Sequence, residues 1–506
     1  MRPVDAEFTA LPLSTLADAA LSRARELGAE HADFRVERNR DAGVSLRDAN
    51  LSASADATDS GLSVRVVVDG TWGFAASATL SPADAARAAE QAVSIARVSR
   101  PLSTERVELA DEPVHADQQW VSSYDVDPFE VPSHEQAALL EDWSRRLLEG
   151  GVTHTEAEFR AVKEQKYYAD SAGTSTTQQR VRIQPWLEVV LVGDEGVETM
   201  RTLAPPVGRG WEYLTGSPGQ GAWDWAGELA TLPDLVREKL AAPSVEAGRY
   251  DLVVDPSNLW LTIHESIGHA TELDRALGYE AAYAGTSFAT LDQLGSLHYG
   301  SELMHVTGDR TVEHGLSTVG FDDEGVQAQS WDLISGGTLV GYQLDRRMAR
   351  QNQLGDPPGR SNGCAFADSA LHIPVQRMAN VSLQPVPDGP DLHGLLGQVE
   401  RGIYVVGDKS WSIDMQRYNF QFTGQRFFRI EDGRLAGQLK DVAYQATTTD
   451  FWRSMSAVGG SSTYVLGGAF NCGKAQPGQV AAVSHGCPAA LFRGVNILNT
   501  VQEAGQ

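Results

Sequence analysis

The residues best suited to chemistry lie close together, in the run His264-Glu265-Ser-Ile-Gly268-His269. Neutral imidazole is a good zinc ligand, and a carboxylate beside a ligand can take a proton from metal-held water. The spacing is one residue longer than the H-E-x-x-H arrangement that sets both rings on one helical face. At about 100° per residue, five steps turn the second histidine roughly 140° away from the first. A regular α-helix therefore cannot aim both rings at one ion. A one-residue π-type bulge, or a loosening near Gly268, would bring them together. The plainer alternative is two unrelated histidines, one buried and one exposed.

A catalytic zinc normally takes three protein ligands and keeps one position for water. The chain has three cysteines, Cys364, Cys472 and Cys487, too few for a disulfide framework. Cys472 lies in Gly467-Gly-Ala-Phe-Asn-Cys472-Gly-Lys474-Ala-Gln-Pro-Gly-Gln479, where Lys474 would favour the thiolate. Cys487 with His485 forms a rival metal-binding pair, and for any single cysteine a buried apolar thiol is the ordinary outcome. Glu272 follows His269 by three residues. It either orients a ligand ring or is a solvated helix carboxylate.

The elements that must position this run are legible around it. Leu252 to Val254 read as a buried strand, Asp255 as a helix cap, and Pro256 fits the first helical turn. Leu259, Trp260 and Ile263 supply the helix with an apolar face. Upstream, a helix is expected from Ser14 to Gly28, then alternating runs at Ala32–Arg38, Gly43–Arg47 and Leu62–Val68. Such period-two alternation reads as antiparallel strands with one wet face. Asp69-Gly70 is a tight-turn signal, and Ser81-Pro82 opens an alanine-rich helix to about Arg97. Residues 101–132 read as a linker or wrapping segment. Ser133 to Glu149 reads as a helix with Ser133 and Gln136 as a capping box. Strands return at Glu156–Val162, Lys166–Asp170 and Val181–Val192, with a turn at Asp170, and a helix follows near Pro233–Leu240.

The fold class expected is α+β. Residues 1–240 form an N-terminal part of two small α/β units, about 10–100 and 130–240, and residues 241–506 a β-rich part holding the histidine helix. In that second part Gly315–Gly325, Gly336–Leu344, Gly402–Val406, Asn419–Phe422, Arg426–Gly433 and Arg434–Leu439 read as strands, with a hairpin turn at Glu431-Asp-Gly433. Asp322-Asp-Glu-Gly325 reads as a solvated turn, since the full calcium-loop pattern is missing.

The 506 residues are 42% hydrophobic, ample for sizeable cores, and carry a net charge of −26. That charge argues against general nucleic-acid binding, which needs clustered Lys and Arg, and suits neutral or basic peptide partners. Met1 to Leu13 carries acidic residues and no long apolar run. No signal peptide and no stretch of about 18 apolar residues is found. The expectation is a cytoplasmic protein that binds neither nucleic acid nor membrane.

The ordered motifs His264–Glu272, Gly285-Thr-Ser-Phe288, Asp322–Gly325 with Gly341-Tyr342, Pro374–Asn380, Gly402-Ile-Tyr404 and Cys472–Gln479 together resemble the TldD/PmbA family, in its TldD-like branch. Ala32–Arg97 resembles that family's first domain. The resemblance implies a zinc-dependent peptidase whose ligands map onto His264, His269 and Cys472 and whose catalytic carboxylate maps onto Glu265. It implies a homodimer, or a heterodimer with a related TldE/PmbA-like subunit, cleaving unstructured peptides or leader peptides in an enclosed chamber. The family's ending near Gly-Gln-Pro-x-Leu is His485-Gly-Cys487-Pro-Ala-Ala-Leu491 here, and the segment around Cys364 is atypical. An extended peptide is expected to add as a strand to a sheet edge. Two rival readings are a non-catalytic peptide-binding or partner subunit with a structural metal, and a hydrolase of non-peptide amides.

Overall fold

In the computed structural model of the chain, residues 2–194 and 196–503 are described. The fold is mixed α and β, with the β-rich part towards the C-terminus. Helix Leu13–Glu26 leads into β1 (His31–Arg47), β2 (Asn50–Val68) and β3 (Thr71–Ser77), and helix Pro82–Ser99 follows. Next come β4 (Gln118–Val121), helix Ser133–Glu149, β5 (His154–Asp170), β6 (Ser175–Gly193), β7 (Gly196–Arg201) and helix Trp225–Leu240.

Strands from both expected units share one sheet, ordered β3-β2-β1-β5-β6-β4, with β7 on β6. β1 and β5 join the halves in an unbroken antiparallel ladder from Asp33↔Asp170 to Arg47↔Glu156. The short runs of the sequence therefore merge: Ala32–Arg38 and Gly43–Arg47 are one strand, as are Glu156–Val162 and Lys166–Asp170. The turn at Asp170 is built by its own Oδ1, which accepts from the backbone N–H groups of Ala172, Gly173 and Thr174. Ser81 caps its helix through Asp84 N–H, as the sequence predicts. Ser133 does not cap: the helix begins after Pro132, and Gln136 Nε2 instead donates to the Pro128 carbonyl. The last helix starts earlier than expected, at Trp225, and takes Pro233 into its interior.

Helices cover one face of this sheet. Phe34, Val36, Val64 and Val66 pack with Leu16, Ala20, Ala89 and Val93, while Phe159 and Leu187 pack with Leu140, Trp143 and Val236. The opposite face is not wet, which corrects the reading from alternation. Arg35, Glu37, Arg65, Glu164, Lys166 and Arg180 are all buried on it. The acidic turn Asp322–Gly325 is buried as well, which corrects its reading as a solvated turn. Asp323 Oδ2 accepts from Arg35 Nη1 at 3.1 Å and Lys166 Nζ at 2.8 Å. Glu324 Oε1 accepts from Arg65 Nη1 at 2.9 Å, and Glu324 Oε2 accepts from Arg346 N–H. The polar face is polar because it meets another polar surface inside the protein.

The second part begins with β8 (Gly248–Val254) and helix Pro256–Ile263. β9 (Val306–Asp309), β10 (Ser330–Ser335), β11 (Thr338–Leu339) and β14 (Asn380–Leu383) make a small sheet; β12 (Ala365–Phe366) and β13 (Val375–Gln376) make a two-stranded one. β15 (Arg401–Ile413), β16 (Asn419–Glu431), β17 (Arg434–Leu439), β18 (Val442–Thr447), β19 (Met455–Val458) and β22 (Ala490–Asn499) join β8. Their order is β15-β8-β22-β18-β16-β17, and β15 also pairs β16, closing the path into a ring. β20 (Val465–Lys474) and β21 (Gln479–Cys487) form a separate ribbon.

Three sequence expectations need correction here. Residues 315–325 are turns rather than a strand, and residues 336–344 contribute only Thr338–Leu339. Asn419–Phe422 and Arg426–Gly433 belong to one strand, β16, whose hairpin turns at Asp432 and Gly433 with φ of 48° and 76°. Among the described residues no helix is long and apolar enough to cross a membrane.

Asp323→Ala would leave Arg35 and Lys166 buried without their shared carboxylate. Removing one partner of a buried ion pair typically costs about 3–5 kcal/mol. Chemical denaturation should show a loss of that order, and Asp323→Ala with wild-type stability would contradict the role given to this network.

Candidate active site and metal centre

The site is built on a break in helix geometry. Asp255 caps the helix by accepting from Ser257 N–H, and Pro256 occupies the first turn. After Ile263 the helix widens into a π turn over His264–Gly268, closed by His269 N–H donating to His264 C=O, and a 3₁₀ turn follows over His269–Thr271. Residues five apart then lie over one another, and the two imidazole centroids are 4.7 Å apart. The irregular turn leaves carbonyls without helical partners, and each such group must be satisfied elsewhere. Gln343 Nε2 donates to Gly268 C=O at 2.7 Å, and the Tyr299 hydroxyl donates to Ser266 C=O. A Cβ at position 268 would lie 2.5 Å from Met378 Sδ, so a larger residue there would have to displace that side chain.

Cys472 on β20 reaches the same point: its Sγ is 3.6 Å from His269 Nε2. Among the described residues, His264, His269 and Cys472 are the group able to hold a metal, with ligand atoms all within 4.8 Å of one another. The set fits a tetrahedral zinc. Zn–N bonds of about 2.0–2.1 Å and a Zn–S bond of about 2.3 Å at tetrahedral angles separate nitrogen from sulfur by about 3.6 Å.

The hydrogen bonds fix which nitrogens are free. The Val381 carbonyl can only accept, so His485 Nδ1 donates to it, at 2.8 Å. His485 Nε2 is then the acceptor for His264 Nδ1–H, at 2.7 Å. That leaves His264 Nε2 with its lone pair facing the site. Burial pushes both rings below the ordinary histidine pKa, which keeps this neutral relay in place. On the other side, His269 Nδ1 donates to Glu272 Oε2 at 3.0 Å, freeing His269 Nε2. Burial raises the Glu272 pKa, but Lys474, Arg275 and His269 outweigh it and hold the carboxylate ionised. Glu272 is thus no solvated helix carboxylate; it is fully buried against the ligand ring.

Lys474 does not act on the thiol as the sequence suggests. Its ammonium donates to Glu272 Oε1, Asp274 Oδ1 and the Gln376 carbonyl. Burial raises the Cys472 pKa, but His269 and Arg377 lower it by more, so the thiolate is favoured. The other two cysteines are different. Burial pushes Cys364 up to about 12, and pushes Cys487, whose thiol faces the Pro256 carbonyl, well above the ordinary range. The rival pair His485 and Cys487 is therefore not brought together as ligands; His485 serves His264 instead. No spacing rule marks His485 for that task, because its partner lies 221 residues away.

Glu265 is nearly buried and 3.6 Å from Arg417 Nη1. Burial raises its pKa, but His269, His264 and Arg417 lower it by more, and a Trp411 hydrogen bond adds to them. A cleft of about 290 Å³ opens beside the site; its lining includes Trp186, Pro205, Trp260, Lys409, Phe470 and Trp411, which bonds Glu265, but not Glu265 or the three ligand residues themselves. Trp260 stacks on His485 with 6.3 Å between ring centroids, so the cleft wall is also the outer wall of the histidine relay.

Three substitutions test this geometry. Cys472→Ala should lose most bound zinc while Cys364→Ala loses little, and full metal occupancy in Cys472→Ala would refute the ligand assignment. His485→Phe should weaken zinc binding about 10–100-fold, the usual loss on removing a partner behind a ligand. Competition against a chromophoric chelator reads all three.

Comparison with known proteins bears on the family of the chain. Residues 247–499 match the family model of the PmbA/TldA metallopeptidase C-terminal domain, and residues 32–96 match PmbA/TldA metallopeptidase domain 1. A metalloprotease of Methanothermobacter thermautotrophicus is 28% identical over 471 residues, 93% of this chain and 96% of that one. A zinc metalloprotease TldD homolog of Saccharolobus solfataricus is 23% identical over 477 residues, covering 92% and 96%. Among solved structures, TldE from Thermococcus kodakarensis shares the fold with a TM-score of 0.71 at 17% identity, over 95% of this chain and 99% of that one. Two matched domains, in the order and over the sheets described above, place the chain in the PmbA/TldD family of metallopeptidases.

Proposed function

We propose that the chain is a zinc-dependent metallopeptidase that hydrolyses peptide bonds in unstructured peptides or leader peptides. The observation that carries this reading is the convergence of three lone pairs, on His264 Nε2, His269 Nε2 and Cys472 Sγ, beside an ionised Glu265 at a cleft. When bound there, zinc supplies Lewis-acid polarisation of the peptide carbonyl and of the attacking water. Glu265 receives the proton lost by the water and returns it to the leaving amine. Glu272 and His485 hold the two ligand rings in orientation. The absence of a fourth protein ligand among the described residues favours a catalytic over a purely structural metal.

The cleft suits an extended peptide. β20 is paired on one edge only, with β21. The β8 ladder ends at Val405, so the later part of β15 is paired only with β16. Both open edges border the cleft through Gly467–Asn471 and Gly407–Trp411. Backbone pairing to either edge would accept many sequences and exclude folded substrates.

Dimerisation, with a second copy or with a related TldE/PmbA-like subunit, belongs to the same proposal. Residues 51–59 of β2 are exposed and pair only with β1, which offers a long open edge to a partner. Light scattering over a dilution series, with and without a co-encoded relative, should detect the dimer. A fully active monomer at every concentration would exclude it.

Glu265→Gln keeps the shape and removes the base. Single-turnover cleavage of an unstructured peptide should slow about 10²–10⁴-fold, with zinc content near wild type. Equal rates at equal zinc occupancy would remove Glu265 from this role. Absence of any cleavage by the wild-type protein would favour the structural-metal subunit instead.

A further inference from the structure

The turn joining β15 to β16 is held far more firmly than a hairpin tip requires. Asp414 Oδ1 accepts from Gln416 N–H at 3.1 Å and Tyr418 N–H at 2.8 Å, while Asp414 Oδ2 accepts from Asn419 N–H at 3.0 Å. Between them Arg417 is forced to a φ of 64°. A non-glycine residue in this left-handed region is strained and persists only where its surroundings over-determine it, often at functional sites.

The surroundings do so here. Thr448 Oγ1 donates to the Arg417 carbonyl at 2.7 Å. The motif Gly285-Thr-Ser-Phe288 clamps the tip: Thr286 N–H donates to Met415 C=O at 2.7 Å and Phe288 N–H to Gln416 C=O at 2.9 Å. Gly285 has a φ of 87°, and a Cβ there would lie 2.0 Å from the Met415 carbonyl oxygen, so glycine is required. Ser287 Oγ in turn donates to Ala270 C=O at 2.7 Å, tying the clamp to the residue after His269.

The clamped residue is aimed at the active site. Arg417 Nη2 donates to Ala284 C=O at 2.9 Å, which anchors one end of the guanidinium. Its Nη1 lies 3.6 Å from Glu265 Oε2, beyond a good hydrogen bond. Its Nε–H is buried with no partner at all. A fixed cation beside the base, with donors unspent, is what an oxyanion needs.

Resting on the peptidase reading above, we propose that Arg417 is a further catalytic residue, donating a hydrogen bond to the scissile carbonyl oxygen as it becomes anionic. The water oxygen forms a bond to the carbonyl carbon, one water proton passes to Glu265, and the C=O π pair moves onto the oxygen that Arg417 meets. Collapse re-forms the C=O bond and breaks the C–N bond, and the leaving nitrogen takes the proton from Glu265.

The test uses the full zinc-loaded chain with Arg417→Ala, Arg417→Lys and Glu265→Gln. In Arg417→Ala, kcat should fall about 10²–10³-fold, the usual loss on removing an oxyanion donor, with KM and zinc content within a few-fold of wild type. Calorimetry should show a phosphinic peptide, whose charged oxygen mimics the oxyanion, binding more weakly by a similar factor. An uncleaved peptide should bind Glu265→Gln equally well with and without Arg417→Ala. Guanidinium ion should restore part of the rate to Arg417→Ala. If Arg417→Ala does not fold, Arg417→Lys, which keeps the charge but not the planar fork, is read by the same comparison. Equal loss of affinity for peptide and phosphinate would overturn the proposal, leaving Arg417 a binding group. So would a defect confined to peptides with a free C-terminal carboxylate and absent from amidated ones. Variants as active as wild type would overturn it while the peptidase reading stands; a wild type that cleaves no peptide would bring down both.

Discussion

The two histidines lie five positions apart, and a regular helix cannot place them on one face. Much of the second part of the protein answers that constraint. The π turn brings His264 and His269 together, and the backbone groups it strands must be paired inside a dry core. Gln343 does so from one loop and Tyr299 from another. Met378 occupies the space that a side chain at position 268 would need. Gln343 Oε1 also accepts from Ala379 N–H, so one amide ties the turn to the segment leading into β14. The helix is irregular where the chemistry requires it, and loops distant in sequence make that irregularity stable.

A second layer acts through hydrogen-bond direction. A metal-binding imidazole must present a lone pair, and its other nitrogen decides whether it does. Val381 and His485 set His264, while Glu272 sets His269. Glu272 remains a carboxylate because Arg275 and Lys474 are buried against it. Lys474 also bonds Asp274 and a carbonyl next to Arg377, so the ribbon carrying Cys472 and the turn carrying His269 are cross-linked by charge. These contacts hold the thiolate and the two nitrogens at their mutual distances.

The same principle operates at larger scale between the sheet of the N-terminal part and the acidic turn. A charged sheet face buried inside the protein is tolerable only when its charges are paired. Arg35, Arg65 and Lys166 find Asp323 and Glu324, and Arg180 and Arg182 find Glu164. This pairing seats the C-terminal part against the sheet. The cleft at the active site lies between these parts, bordered by Gln184–Trp186 and Arg201–Pro206 on one side and by β15 and β20 on the other.

Local signals in the sequence located much of the local structure, though not the strands expected over 315–325 and 336–344. Asp255 and Pro256 start their helix where capping chemistry says they should. Ser133 to Glu149 is a helix from its apolar spacing, although the cap differs. The histidine spacing required a departure from α-geometry if both rings were to meet one ion, and His264, Glu265 and His269 stood out because three chemically apt residues fell within six positions. What depends on distant partners was illegible. Alternation in β1 and β5 told that one face is polar, not that it is buried, because the partner turn lies more than 150 residues away. Acidity made Asp322–Glu324 look solvated for the same reason. His485 carried a suggestive residue type but no sign that it would serve a ring instead of a metal. Arg417 carried no signal, since a strained backbone angle and an unpaired donor exist only once the hairpin tip and the Gly285–Phe288 loop have met.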